Sequence, residues 1–100
     1  MKARSVEFSP EALDDLLNLY DWIADAADPE TAFAYIDRLE SYCRDMKYAA
    51  ERGHKRDDIR PNLRIVGFER RVTIAFTVSE SHVTILRLFY GGRNWEHDVT

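Results

Sequence analysis

Cysteine is nearly absent from this 100-residue chain: Cys43 stands alone, so no internal disulfide can form and no thiol pair is available to a metal or a redox motif. Long apolar runs are missing too. No stretch of 18 uninterrupted apolar residues occurs, and the opening Met1-Lys2-Ala3-Arg4-Ser5 has no apolar segment behind its charges. Neither a membrane span nor an export signal is therefore expected, and a reducing cytoplasm is the expected location. The three histidines, His54, His82 and His97, are scattered and match no HExxH pattern, so neither a metal nor another cofactor is implied. The chain also lacks GxSxG, a phosphate-binding loop and a dinucleotide fingerprint. Ser79-Glu80-Ser81-His82 gathers serine, acid and histidine, but one tight turn cannot make them converge as a triad must. Ordinary enzyme classes lose weight accordingly.

What is present is enough for one folded domain. The hydrophobic fraction of 45% with 12% aromatics can fill a core, and 32% charged residues is too little for wholesale disorder. The formal net charge of -4 conceals an uneven distribution: residues 1–51 carry about -7 and residues 52–100 about +3. An acidic first half and a basic second half suggest that the second half meets something anionic. A solvated acidic helix face beside a mildly basic sheet would have the same distribution.

Val6 and Phe8 alternate with Ser5 and Glu7, which predicts a short strand. Ser9-Pro10-Glu11 then opens a helix, with Ser9 as cap and Pro10 at the first helical position. Leu13, Leu16, Leu17, Tyr20, Ile23, Ala24 and Ala27 recur at spacings of three and four opposite Asp14, Asp15, Asp21 and Asp25. Asp28-Pro29-Glu30 repeats the start signal, so a tight helical hairpin is expected. The second helix has an apolar seam of Ala32, Ile36, Leu39, Cys43, Met46 and Ala50, which makes Cys43 a small core residue. Residues 51–62 read as a polar surface loop. Three strands follow at Leu63 to Phe68, around Val72 to Val78, and at His82 to Tyr90, with connections short enough for an antiparallel meander. The fold class is therefore α+β, with the helical hairpin on one face of the sheet, and 92–100 form a polar tail on a single domain of residues 1–100.

Arg87 is the residue that fits its surroundings least. It lies in a strand with Val83, Ile85 and Phe89 and is flanked by Leu86 and Leu88. A guanidinium there must reach the sheet edge or find a partner, so Arg87 is the first functional candidate. The structural alternative is an ion pair with an aspartate of either helix. Arg64 and Arg71 on the same exposed sheet surface would complete an anion-receptive patch. Tyr90, Arg93 and Trp95 interleave aromatic and basic character, suited to stacking on bases or docking in a groove, and Trp95 could equally close the core.

Three blocks then carry a resemblance: Gly53-His54-Lys55-Arg56-Asp57-Asp58-Ile59-Arg60-Pro61-Asn62-Leu63-Arg64, Arg71 to Val78, and Val83 to Arg93. Together with Phe8-Ser9-Pro10-Glu11-Ala12, their order and spacing resemble the ParE toxins of the ParE/RelE superfamily over roughly residues 5–94. The resemblance implies a toxin of a type II toxin-antitoxin pair, as in plasmid stabilisation. Its partner would be a small cognate ParD-like antitoxin whose carboxy-terminal segment wraps the hairpin and sheet, with Leu13, Leu17, Tyr20 and Phe76 as contacts. For the ParE branch it implies DNA gyrase as target, poisoned on cleaved DNA without covalent chemistry, with Arg64, Arg71, Arg87, Tyr90, Arg93 and Trp95 as the target-binding set. The RelE branch, a ribosome-dependent messenger RNA endoribonuclease, would place cations at Arg64 and Arg87 and a proton-transfer group at Tyr90 or Lys55. ParE members often carry histidine where Tyr90 stands, then a small residue and paired basic residues, and Gly91-Gly92-Arg93-Asn94 departs from that. This half holds a single lysine, and the acidic helices add little affinity for phosphates, so recognition is favoured over catalysis and direct nucleic-acid binding is left open.

Overall fold

The computed structural model describes residues 3–91; Arg93, Trp95 and the expected polar tail 92–100 lie outside them. The elements are β1 (Ser5–Phe8), α1 (Pro10–Ala26), α2 (Pro29–Arg44), a short 3-10 turn (Asp45–Lys47), β2 (His54–Lys55), β3 (Leu63–Phe68), β4 (Val72–Val78) and β5 (His82–Tyr90). Both helix starts obey their caps. Ser9 Oγ accepts the Ala12 N–H at 3.0 Å, and Asp28 Oδ1 accepts the Thr31 N–H at 2.7 Å. The Thr31 backbone bond, helped by the Thr31 hydroxyl, holds the Asp28 carboxyl below its ordinary value. The cap is thus at full strength above the usual carboxylate range and weakens as pH falls through it.

The expected meander of β3, β4 and β5 is the centre of a larger, five-stranded mixed sheet in the order β1-β5-β4-β3-β2. Two strands are added to it. β1 runs parallel to β5, with Val6 opposite Val83 and Phe8 opposite Ile85. Within the stretch expected to be loop, His54 and Lys55 pair with Ile65 and Arg64 as a two-residue edge strand. Gly53 makes that approach possible. It sits at φ +68, and a Cβ there would run into the carbonyl oxygen of Ile65.

Both sheet faces are covered. On the helix side, Val72, Ile74 and Phe76 of β4 pack with Ala12, Leu16 and Leu19 of α1 and Tyr35, Leu39 and Cys43 of α2. Burying side chains the size of Leu16 or Leu19 contributes roughly 2 kcal/mol each. On the other side a smaller cluster of Leu63, Ala75 and Phe89 is closed by Ile59 from the loop before β3. The core stripe of α1 is thus rotated by about one residue from the expected one: Leu13 and Leu17 remain 49% and 66% exposed, while Ala12 and Leu19 are buried.

Cys43 is fully enclosed, and burial pushes its thiol from 9.0 up to about 12. Native protein at pH 8 is therefore expected to react with a thiol reagent at least roughly a hundredfold more slowly than unfolded protein. Labelling at the rate of free cysteine would contradict the packing. Between about pH 9 and 12 the unfolded thiol ionises and the folded one does not, so stability falls as pH rises through that window.

Candidate functional site

The sheet edge explains Arg87. β1 ends at Phe8, opposite Ile85, so the following residues of β5 have no strand beside them on that side. Two side chains of the α1 segment satisfy the exposed backbone: Ser9 Oγ donates to the Leu86 carbonyl at 2.7 Å, and Asp15 Oδ2 accepts the Leu88 N–H at 2.9 Å. Asp15 also holds Arg87 by two bonds, from Nε at 2.8 Å and Nη2 at 3.0 Å. The Arg87 and Asp15 side chains are only 22% and 13% exposed, respectively. Of the two readings the sequence left open for Arg87, the paired one describes its geometry: it pins α1 to β5 and lies with its guanidinium carbon 4.9 Å from the Phe89 ring centre.

A bulge sets this register. Ala75 stands opposite Arg87 and Phe76 opposite Ile85, which leaves Leu86 as the extra residue. Val83 and Ile85 therefore face the helices, while Phe89 joins the cluster on the opposite face, so the single alternating row expected from Val83 to Phe89 is broken.

The arginines expected to share one patch are distributed over the sheet. Arg64 lies opposite Phe76 and beside Lys55, with its Nε donating to the Arg52 carbonyl at 2.9 Å. These two cations and Arg4 line a polar hollow of about 350 Å³ together with Glu51 and Glu80, so its charge is largely balanced. Arg71 and Tyr90 are at the other end of β4, where Val72 faces Tyr90 and the Gly91 N–H donates to the Arg71 carbonyl. Phe76 and Val72 are four positions apart in β4, or about 13 Å along the strand. Lys55 and Arg64 are together, Arg87 is held by Asp15, and Tyr90 is elsewhere; the four residues of an RNase-like site do not meet.

At the Arg71 end the structure builds a second hollow. The turn between β3 and β4 places Glu69 and Arg70 at φ 49 and 60, a left-handed pair in side chains that disfavour it. Arg38 of α2 grips Glu69 through Nε at 3.0 Å and Nη2 at 3.2 Å. That bond, ahead of the opposing effect of desolvation, holds the Glu69 carboxyl below its usual range. Trp22, 52% exposed on α1, packs against Tyr90 with ring centres 4.5 Å apart and planes tilted by 47°. Between them and the start of α2 is a cavity of about 490 Å³ walled by Trp22, Ala26, Ala34, Tyr35, Arg71 and Tyr90, among others. Burial, then Glu69 and Tyr90, push the Tyr35 hydroxyl above its usual pKa.

Trp22, Tyr35, Arg38 and Asp15 were not singled out in the sequence. A tryptophan interrupting the polar side of an amphipathic helix was the available signal for Trp22. Among residues expected to meet an antitoxin, Leu13 and Leu17 are exposed and Tyr20 is half-buried beside them at i, i+4 and i+7. Phe76 is corrected: it is fully buried in the helix-side core and cannot touch a partner while the sheet is intact. Among the described residues no group of His, Cys, Asp or Glu could hold a metal ion, and no helix is long and apolar enough to cross a membrane.

Residues 6–95 match the family model described as ParE toxin of type II toxin-antitoxin system, parDE. The chain belongs to the ParE toxin family. A solved structure described as the chromosomal ParDE TA system from P. aeruginosa contains a chain of the same fold, with a TM-score of 0.77 and 23% identity over 90% of this chain and 98% of that one. No curated protein matches. The ParE fold thus accounts for both the helical hairpin and the mixed sheet, and the family implies an antitoxin partner.

Proposed function

We propose that this ParE family member acts in the cytoplasm by binding DNA gyrase and stabilising it on cleaved DNA, and that a ParD-like antitoxin silences it by covering the Leu13, Leu17 and Tyr20 stripe. The observation that supports recognition over catalysis is the separation of Lys55 and Arg64 from Tyr90, with Arg87 committed to Asp15. General acid-base cleavage of RNA needs those groups around one phosphate. Arg71 and Tyr90 are the target-facing residues, and Arg93 and Trp95 follow them in the chain. Arg64 stands apart from this surface.

Purified protein added to gyrase and supercoiled plasmid is expected to accumulate cleaved DNA and to inhibit supercoiling. Unchanged supercoiling and cleavage at large molar excess would refute the gyrase reading. Transcripts in a translating extract are expected to stay intact. Site-specific cuts that vanish in Tyr90→Phe would establish the ribosome-dependent nuclease instead.

A further inference from the structure

The Arg71 N–H closes the turn between β3 and β4 on the Phe68 carbonyl at 3.1 Å, with Glu69 and Arg70 at its centre in the left-handed region that favours asparagine and glycine. Both central residues are exposed, so core packing does not account for a strained pair here. The fork between Arg38 and Glu69 does not offset the strain either, because the two side chains are 53% and 39% exposed and an ion pair so open to water contributes little stability. What the fork does is geometric. Arg38 Nε and Nη2 each take one oxygen of Glu69, so both carboxylate oxygens are engaged with α2 rather than with Arg71, two residues further on. Arg71 is within electrostatic reach of that carboxylate: after the Arg38 bonds, and against desolvation, its charge also acts to hold the Glu69 carboxyl low. Yet Arg71 is in no ion pair among the described residues, and its Nη1 donates instead to the Tyr90 hydroxyl at 3.4 Å.

We propose that Arg38 is a positioning residue for target recognition: by holding both oxygens of Glu69 it keeps this carboxylate off Arg71 and leaves the Arg71 guanidinium, beside Tyr90, available to an acceptor group of gyrase. Without Arg38, the cation that still attracts Glu69 is Arg71, and the tight turn keeps the two residues together. Arg38 also covers the Tyr35 ring, with its guanidinium carbon 5.3 Å from the ring centre, and a purely structural role would rest on that cover and on the ion pair. The two roles differ in what relieves the loss of Arg38. Neutralising Glu69 as well releases Arg71, but it restores neither the ion pair nor the cover on Tyr35. The inference rests on the reading of Arg71 and Tyr90 as target-facing, and it adds to that surface a residue of α2 that acts through Glu69.

The test compares the parent, Arg38→Ala, and Arg38→Ala combined with Glu69→Gln in the gyrase cleavage assay. It also follows the Arg71 Nε–H resonance of the full chain, identified by comparison with Arg71→Lys. Arg38→Ala is expected to lower trapped cleaved DNA about fivefold and to shift the Arg71 resonance. Its midpoint of thermal unfolding is expected to stay within a few degrees of the parent's, because the lost pair is exposed. Adding Glu69→Gln is expected to return trapping to near the parent's level and the resonance toward its parent position. Parent-level trapping in Arg38→Ala, an unmoved resonance, or a double variant no better than the single one overturns the proposal. A parent that traps no gyrase, with the resonance still shifting in Arg38→Ala and returning in the double variant, supports the hold of Arg38 on Glu69 and removes only the gyrase reading.

Discussion

Asp15→Ala is expected to lower the unfolding free energy by about 3 kcal/mol. The change strips two things at once. The Leu88 N–H loses its acceptor at a sheet edge that β1 no longer covers, and Arg87, 22% exposed, loses its carboxylate. Arg87→Ala is expected to cost less, about 2 kcal/mol, because Asp15 keeps the Leu88 N–H. Chemical denaturation of both single variants and the double variant measures the coupling, and a favourable coupling of at least about 1 kcal/mol is expected. A loss below about 1 kcal/mol in Asp15→Ala would mean that the pair does not anchor α1 to β5. The practical consequence concerns activity: any loss of toxicity in Arg87→Ala has to be read beside its loss of stability before Arg87 is given a role at the target.

Gly53→Ala is expected to destabilise by roughly 3 kcal/mol or more, an effect out of proportion to one methyl group in an exposed loop. A left-handed residue costs a side chain about 1 kcal/mol, and here the new Cβ also collides with the Ile65 carbonyl and crowds Val66. The backbone must withdraw from β3, which would undo the pairing of Lys55 with Arg64. Gly67→Ala is the control. Nothing lies within 4 Å of its added Cβ, so its midpoint of thermal unfolding is expected to stay within a few degrees of the parent's. Comparable losses in the two variants would contradict the close approach at Gly53.

The parts of this fold that local chemistry dictates were legible in the sequence. Ser9-Pro10 and Asp28-Pro29 announced both helix starts because a capping oxygen and a proline at the first turn act within four residues. Alternation in β4 marked its two faces, and the helical seam put Cys43 in the core. Non-local features were hidden. β2 has two residues, too few for any periodicity, and nothing in Val6 or Phe8 says which strand they will pair with. The bulge at Leu86 inverts the outward and inward sense of every later residue of β5, so Phe89 could not be assigned a face by counting from Val83. On α1, Leu13 and Leu17 are as apolar as Leu16 and Leu19, and only the sheet decides which row is buried. The candidate site suffered most, since Arg87 announced a need for a partner without naming Asp15, and the cavity at Trp22 is assembled from α1, α2, the turn before β4 and the end of β5.

The proposal that the Arg71 end of the sheet recognises gyrase, and that the Lys55 end does not, is tested most directly by paired variants in the gyrase cleavage assay. Lys55→Ala with Arg64→Ala is expected to keep wild-type levels of cleaved DNA, while Arg71→Ala with Tyr90→Ala is expected to lose at least about tenfold at equal stability. The opposite outcome, with trapping abolished at Lys55 and Arg64 and retained without Arg71 and Tyr90, would contradict it.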